Sequence, residues 1–228
     1  MKKLRLFYER YKHFLILAYF LIYMPWFMIL EATVTTDYHL IHTGLDDLIP
    51  FCEYFIIPYL LWFAYVAAGV LYLAFSNVKD YYRLCTVLFT GMTIFLIAST
   101  VYPNGHNLRP LYFSHHNFCT MLVEMIYSND TPTNLFPSIH CFNSLAVEFA
   151  VFHNEKLRKN HSIQILSLLL CIAIILATMF LKQHSTFDVL TAFLCAAILY
   201  IIVYRFDIYF FHRNYKKTPR IQRASFRS

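Results

Sequence analysis

A chain of 228 residues that is 59% hydrophobic, 19% aromatic and only 14% charged has too little polar surface for a water-soluble globule, in which about a quarter of residues are charged. Its net charge of +6 would suit nucleic acid, but the basic residues are parcelled out between apolar runs, which excludes that partner. The six cysteines, Cys52, Cys85, Cys119, Cys141, Cys171 and Cys195, form no C-x-x-C pair. That argues against a disulfide framework and a zinc site, and leaves buried free thiols.

Six stretches approach the roughly 20 residues needed to span a bilayer: about 12–31, 53–75, 84–102, 136–152, 163–181 and 186–206. The fourth is the most polar, with Asn143, Ser144 and Glu148. We therefore read an all-α polytopic membrane protein of six transmembrane helices. One domain covers residues 1–212, and a basic tail, 213–228, reads as disordered. Lys and Arg number five before the first span, two in the 76–83 loop, three in the 153–162 loop and seven from Arg205 onward. That places 17 of 19 basic residues on one side of a six-span layout, the positive-inside pattern. Both termini are then cytoplasmic, and only Arg109 and Lys182 lie on the outer face.

In chain order, the basic start leads into an apolar run that is too long and aromatic for a cleaved signal peptide, so an uncleaved first span is expected. Pro25 and Pro58 should kink their helices. In the first outer loop, Asp46 and Asp47 mark a helix start, while His39 and His42 are either metal ligands or solvated side chains. The 103–135 loop is longer than most connections, hence functional or poorly ordered. Within it, H-H-N-F-C-T-M-L-V-E-M-I-Y has helical periodicity and reads as an interfacial helix or lid. Its His115 and His116 either touch a substrate head group or simply face water. Between spans five and six, L-K-Q-H-S-T-F-D forces a reversal at the outer surface. The tail either touches anionic lipid or serves as a topological anchor.

Chemistry-bearing residues gather on that outer face. In N-L-F-P-S-I-H (134–140), Pro137 suits a first helical turn. Ser138, Ile139 and His140 would then present backbone N–H groups at the positive end of the dipole, an anion site with a histidine at its lip. A bland helix start fits the same residues. His184 and Asp188 stand at i and i+4. The carboxylate either orients the imidazole as a nucleophile or braces the turn. Arg109 and Lys182 either grip phosphate or snorkel to lipid head groups. His140, Ser144 and Glu148 recur every four residues and share a face turned into the bundle.

An Arg-Pro, a P-S-x-H at a helix start and an H-x-x-x-D, in that order, resemble the type-2 phosphatidate phosphatase superfamily of membrane lipid phosphatases and phosphotransferases. The resemblance covers about 100–192. The family motifs K-x6-R-P, P-S-G-H and S-R-x5-H-x3-D appear here as Y-P-N-G-H-N-L-R-P, P-S-I-H and A-T-M-F-L-K-Q-H-S-T-F-D. Tyr102 stands in place of the first lysine, Ile139 in place of glycine, and Ala177-Thr178 in place of Ser-Arg. Two phosphate-binding cations are thus missing. The pattern is more similar to the branch containing inositol phosphorylceramide synthase and sphingomyelin synthase.

The resemblance implies an acid phosphatase-like helical bundle acting on a lipid or polyprenyl phosphate through a phosphohistidine. His184 would be the nucleophile, Asp188 its orienting base, and His140 the acid and base. Arg109, Ser138, Ile139 and Lys182 would hold the phosphoryl oxygens, with no metal and no cofactor. The alternatives are a binding or scaffold protein with a decayed site, and a histidine-rich metal transporter.

Overall fold

The computed structural model describes residues 2–209, with side chains from Phe7 onward. The basic tail and the domain boundary drawn at 212 lie outside the described residues. The elements in order are α1 (Lys2–Tyr11), a 3-10 stretch (Lys12–Tyr19), α2 (Phe20–Thr33), β1 (His39–Leu40), α3 (Gly44–Leu48) and a 3-10 turn (Glu53–Phe55). Then follow α4 (Ile56–Ser76), α5 (Val78–Val101), β2 (Asn104–Gly105), α6 (Phe118–Asn129), α7 (Ile139–His153) and α8 (Glu155–Arg158). The bundle closes with α9 (His161–Phe180), α10 (Thr186–Tyr200) and a π-helical extension (Ile201–Arg205).

Among the described residues, five helices are long and apolar enough to cross a membrane: Phe7–Thr33, Glu53–Ser76, Val78–Val101, His161–Phe180 and Thr186–Arg205. The segment expected as the fourth span forms α7, whose 15 residues extend only about 22 Å. It is the central helix, packed against α4, α5, α9 and α10. Its polarity explains that position, because Asn143, Ser144 and Glu148 would be costly against lipid and are all buried. Glu148 Oε2 accepts from Tyr65 Oη on α4 at 3.0 Å and from Ser167 Oγ on α9, clasping three helices. Tight packing completes the arrangement. A Cβ at Gly91 of α5 would lie 2.0 Å from the Phe142 ring of α7, so only glycine permits this approach.

Pro25 lies inside α2, whereas Pro58 falls in the first turn of α4. There its missing N–H removes no intrahelical bond. At the end of the bundle near the α4–α5 and α7–α8 turns, Asp80 anchors a polar network. Its Oδ2 accepts from Asn77 Nδ2 at 2.7 Å and Asn154 Nδ2 at 2.9 Å, and Oδ1 lies 3.4 Å from Arg83 Nη1. The same two asparagines cap α5 and α8, so one carboxylate ties two helix starts together.

At the other end, the long 103–135 loop is ordered by its own first residues. β1 and β2 pair in parallel, His39 with Asn104 and Leu40 with Gly105. The Asn104 backbone carbonyl accepts from Asn134 N at 2.7 Å, and its Oδ1 accepts from Leu135 N and Phe136 N at 2.8 and 3.0 Å. One buried asparagine thus joins the beginning of the loop to its return. The interfacial helix foreseen there is α6, capped by Asn117, with Phe118, Met121 and Met125 exposed.

Candidate functional site

The turn from α9 into α10 carries the first two chemical groups. Gln183 N and His184 N both donate to Thr178 O, at 2.9 and 3.0 Å, which ends α9 and reverses the chain. Ser185 is the N-cap of α10, and Asp188 completes a capping box by accepting from Ser185 N at 2.9 Å. His184 therefore precedes the helix instead of starting it. Asp188 still reaches back, placing Oδ2 3.5 Å from His184 Nδ1. Asp188 is fully buried, and its Oδ1 has no hydrogen-bond partner among the described residues.

A residue that the sequence marked only as a helix start fixes this turn from outside. Asp46 sits at the third position of α3 behind the Thr43 cap. Its Oδ2 accepts from Ser185 Oγ at 2.7 Å and its Oδ1 from Thr186 N at 2.7 Å. Burial raises its pKa, but these bonds from Ser185 and Thr186, with that from Thr43, outweigh it and hold the carboxyl below its usual value. The signal was present as T-x-x-D, which gives the local cap but not the partner across the bundle.

Lys182 is not turned toward the imidazoles. With φ at 52°, it carries its ammonium onto the Asp46 and Ile49 carbonyls at 2.7 and 2.5 Å. Pro137 precedes the helix, and Ser138 is the N-cap, its Oγ accepting from Cys141 N at 3.3 Å. Ser138 N donates to the Asp188 carbonyl at 3.2 Å, so it is not the free donor expected. The amides of Ile139 and His140 stand at the first two positions of α7, where a helix offers no carbonyl four residues back.

His140 lies between Tyr59 and Trp62 of α4, with ring centroids 4.6 and 4.3 Å away. Its ring stands 5.7 Å from that of His184, centroid to centroid, so the two imidazoles are direct neighbours. Neither His140 Nδ1 nor His184 Nδ1 has a hydrogen-bond partner among the described residues.

Arg109 approaches from the long loop, but most of its guanidinium is committed to protein acceptors. Nη1 donates to Asp130 O at 2.8 Å and Tyr127 O at 3.2 Å. Nη2 donates to Gln183 Oε1 at 2.8 Å and Thr131 O at 3.4 Å, Cζ lies 4.4 Å from the Tyr127 ring centroid, and Nε is buried with no hydrogen-bond partner among the described residues. Burial lowers its pKa, opposed by Tyr127 and Asp130. His106, two residues past β1's partner Asn104, is likewise turned inward. Its Nδ1 accepts from Leu108 N at 3.2 Å, which leaves the ring proton on Nε2. Burial lowers its pKa to about 4, opposed by the Gln183 backbone.

His140 and His184 form the polar head of a cavity of about 630 Å³. Tyr23, Met24 and Phe27 of α2 form one wall, and Trp62, Phe63 and Val66 of α4 face them. Gln183, Asn143 and Glu31 join the imidazoles at the head. Glu31 bonds Thr131 Oγ1 at 2.7 Å and Asn134 Nδ2 at 3.2 Å, tying α2 to the loop's return. Sequence reading missed Gln183, Trp62, Asn104 and Glu31 as site neighbours.

The other histidines singled out in the sequence lie elsewhere. His39 stacks on Tyr102 at 4.2 Å, His42 pairs with Asp47 at 2.9 Å, and His115 and His116 are exposed. Among the described residues, no three His, Cys, Asp or Glu side chains group as a metal site.

The fold and this cavity define a helical integral membrane protein with a buried two-histidine site. The PAP2 superfamily model matches residues 108–211, a stretch that runs from Leu108 through α10 and includes Arg109, His140, His184 and Asp188. This match supports that superfamily, whose members are generally phosphatases or phosphotransferases acting on phosphate esters. Neither curated proteins nor solved structures gave a match.

Proposed function

We propose that this chain is a membrane lipid phosphatase or phosphotransferase acting on a lipid or polyprenyl phosphate through a phosphohistidine. The observation that carries this reading is a pair of imidazoles at the head of an apolar cavity. Along α4 its lining runs from Tyr59 to Leu71, about 18 Å at 1.5 Å per residue, which accommodates a long hydrocarbon chain with its phosphate against the two imidazoles.

His184 Nε2 attacks phosphorus while Asp188 holds the proton on Nδ1. The N–P bond forms as the ester P–O bond breaks, and His140, protonated to the imidazolium beside the bound phosphate anion, gives that proton to the departing alkoxide. His140 then takes a proton from water or an alcohol, which attacks phosphorus and frees His184. Lys182 is not among the phosphate ligands in this scheme; Ile139 and His140 offer their backbone amides. The mechanism uses no metal. The basic residues flanking the spans support cytoplasmic termini and a site at the outer face. The motif pattern favours the phosphodiester-using branch containing inositol phosphorylceramide synthase and sphingomyelin synthase.

The binding or scaffold alternative draws on one observation, the commitment of Lys182 and of four Arg109 contacts to protein acceptors. Purified protein given labelled lipid phosphates separates the readings. Release of free phosphate means hydrolysis, and label in a new lipid when a lipid alcohol is supplied means transfer. Activity absent from the wild type, or surviving His184→Ala, overturns catalysis.

A further inference from the structure

A second amide donor stands beside the nucleophile. Gln183 is 3% exposed, lines the head of the cavity, and bonds Arg109 Nη2 through Oε1 at 2.8 Å. A guanidinium carries only donors, so the amide must turn its oxygen toward Arg109 and its NH₂ the other way. That Nε2 is buried and has no hydrogen-bond partner among the described residues. An orphaned buried donor costs about 1–3 kcal/mol, which a ligand acceptor would offset. The cavity lining itself contains no lysine or arginine among the described residues.

Resting on the phosphoryl-transfer reading above, we propose that Gln183 Nε2 donates to a phosphoryl oxygen of the substrate. Arg109 is then a positioning residue: through Nη2 it fixes the direction of the amide. The Tyr127, Asp130 and Thr131 carbonyls and the Tyr127 ring hold the guanidinium still, and the guanidinium in turn holds Gln183. A neutral donor thereby occupies a place that the sequence suggested for the Lys182 cation.

Full-length protein in detergent micelles, titrated with orthovanadate and assayed for phosphate release from phosphatidic acid, tests this. Gln183→Glu is the informative variant. It offers Arg109 a charge-assisted acceptor and so keeps the fold, yet it removes the donor and sets a carboxylate against the anion. The expected result is an unchanged melting temperature with vanadate binding and kcat each lowered about 100-fold, the effect of losing one oxyanion donor, and KM little changed. Gln183→Met should match it. Arg109→Lys should weaken vanadate binding about 10-fold alone but less than 2-fold in the Gln183→Met background, because it acts through Gln183.

Wild-type affinity in Gln183→Glu and Gln183→Met, additive losses in the double variant, or no vanadate binding by the wild type would overturn the proposal. Gln183-dependent vanadate binding without phosphate release would uphold it and count instead against the hydrolytic reading.

Discussion

The two ends of the bundle treat buried polar groups in opposite ways. Around Asp80, both carboxylate oxygens have donors, and the two asparagines that supply them also cap helices. Among the described residues, the unmatched atoms toward that end are hydroxyls, the His13 ring and one oxygen of Glu148, whose other oxygen clasps Tyr65 and Ser167. Around Asp188, among the described residues, one carboxylate oxygen, one nitrogen each of His106, His140 and His184, Arg109 Nε and the Gln183 amide are unmatched. A chain folds despite such orphans only if the rest of the structure holds them in place. Here Asp46, Asn104 and Arg109 do so, each using its own hydrogen bonds to fix a segment that bears a chemical group. The Asp80 end stabilises; the Asp188 end keeps its bonding capacity for something else.

That contrast can be broken in order of expected size. Asp188→Asn preserves the acceptor for Ser185 N but places an amide where His184 needs a carboxylate. We expect turnover to fall about 10³-fold, or about 4 kcal/mol, with a nearly unchanged melting curve. Steady-state kinetics beside thermal unfolding would check this. Asp80→Ala should do the reverse. Removing a buried carboxylate from Arg83 and two asparagines should cost about 3 kcal/mol of stability, while kcat of the folded fraction stays at the wild-type value. Equal loss of activity in both variants would erase the distinction between the ends.

A smaller effect concerns pH. His106 has its folded pKa lowered to about 4 from 6.5 by burial. Its contribution to stability is therefore complete above pH 6.5 and is lost as pH falls toward 4, because the unfolded chain takes up a proton that the folded chain does not. The full window is worth about 3 kcal/mol. His106→Asn should show a flatter decline in melting temperature between pH 7 and 4.5 than the wild type. Parallel curves would place the acid sensitivity elsewhere.

The membrane class was legible because hydropathy and the positioning of 19 basic residues are properties of contiguous segments. The approximate ends of α4, α9 and α10 followed from the same runs, whereas α5 begins at Val78, inside the stretch read as the 76–83 loop, because Asn77 caps it there. The length of α7 was not legible, since Pro137 and Ser138 delay the helix start and Asn154 ends it by capping α8. His140, His184 and Asp188 could be picked out as chemistry-bearing residues, and the bundle brings them together. The tasks of Arg109 and Lys182 could not be read, because a cation's partner depends on which carbonyls a distant loop presents. The same holds for Asp46, whose local cap is written in T-x-x-D while its bonds to Ser185 and Thr186 cross more than a hundred residues. Gln183 carried no sequence signal at all; only the guanidinium facing its oxygen reveals which way its amide points.

The central claim is a covalent bond to one histidine. Rapid quenching of the purified protein during turnover of a phosphate-labelled lipid, followed by peptide mapping, tests it most directly. The account predicts an acid-labile, base-stable label on His184, formed within the first turnover and absent from His184→Ala. Turnover without that label, or label on a different residue, would contradict it.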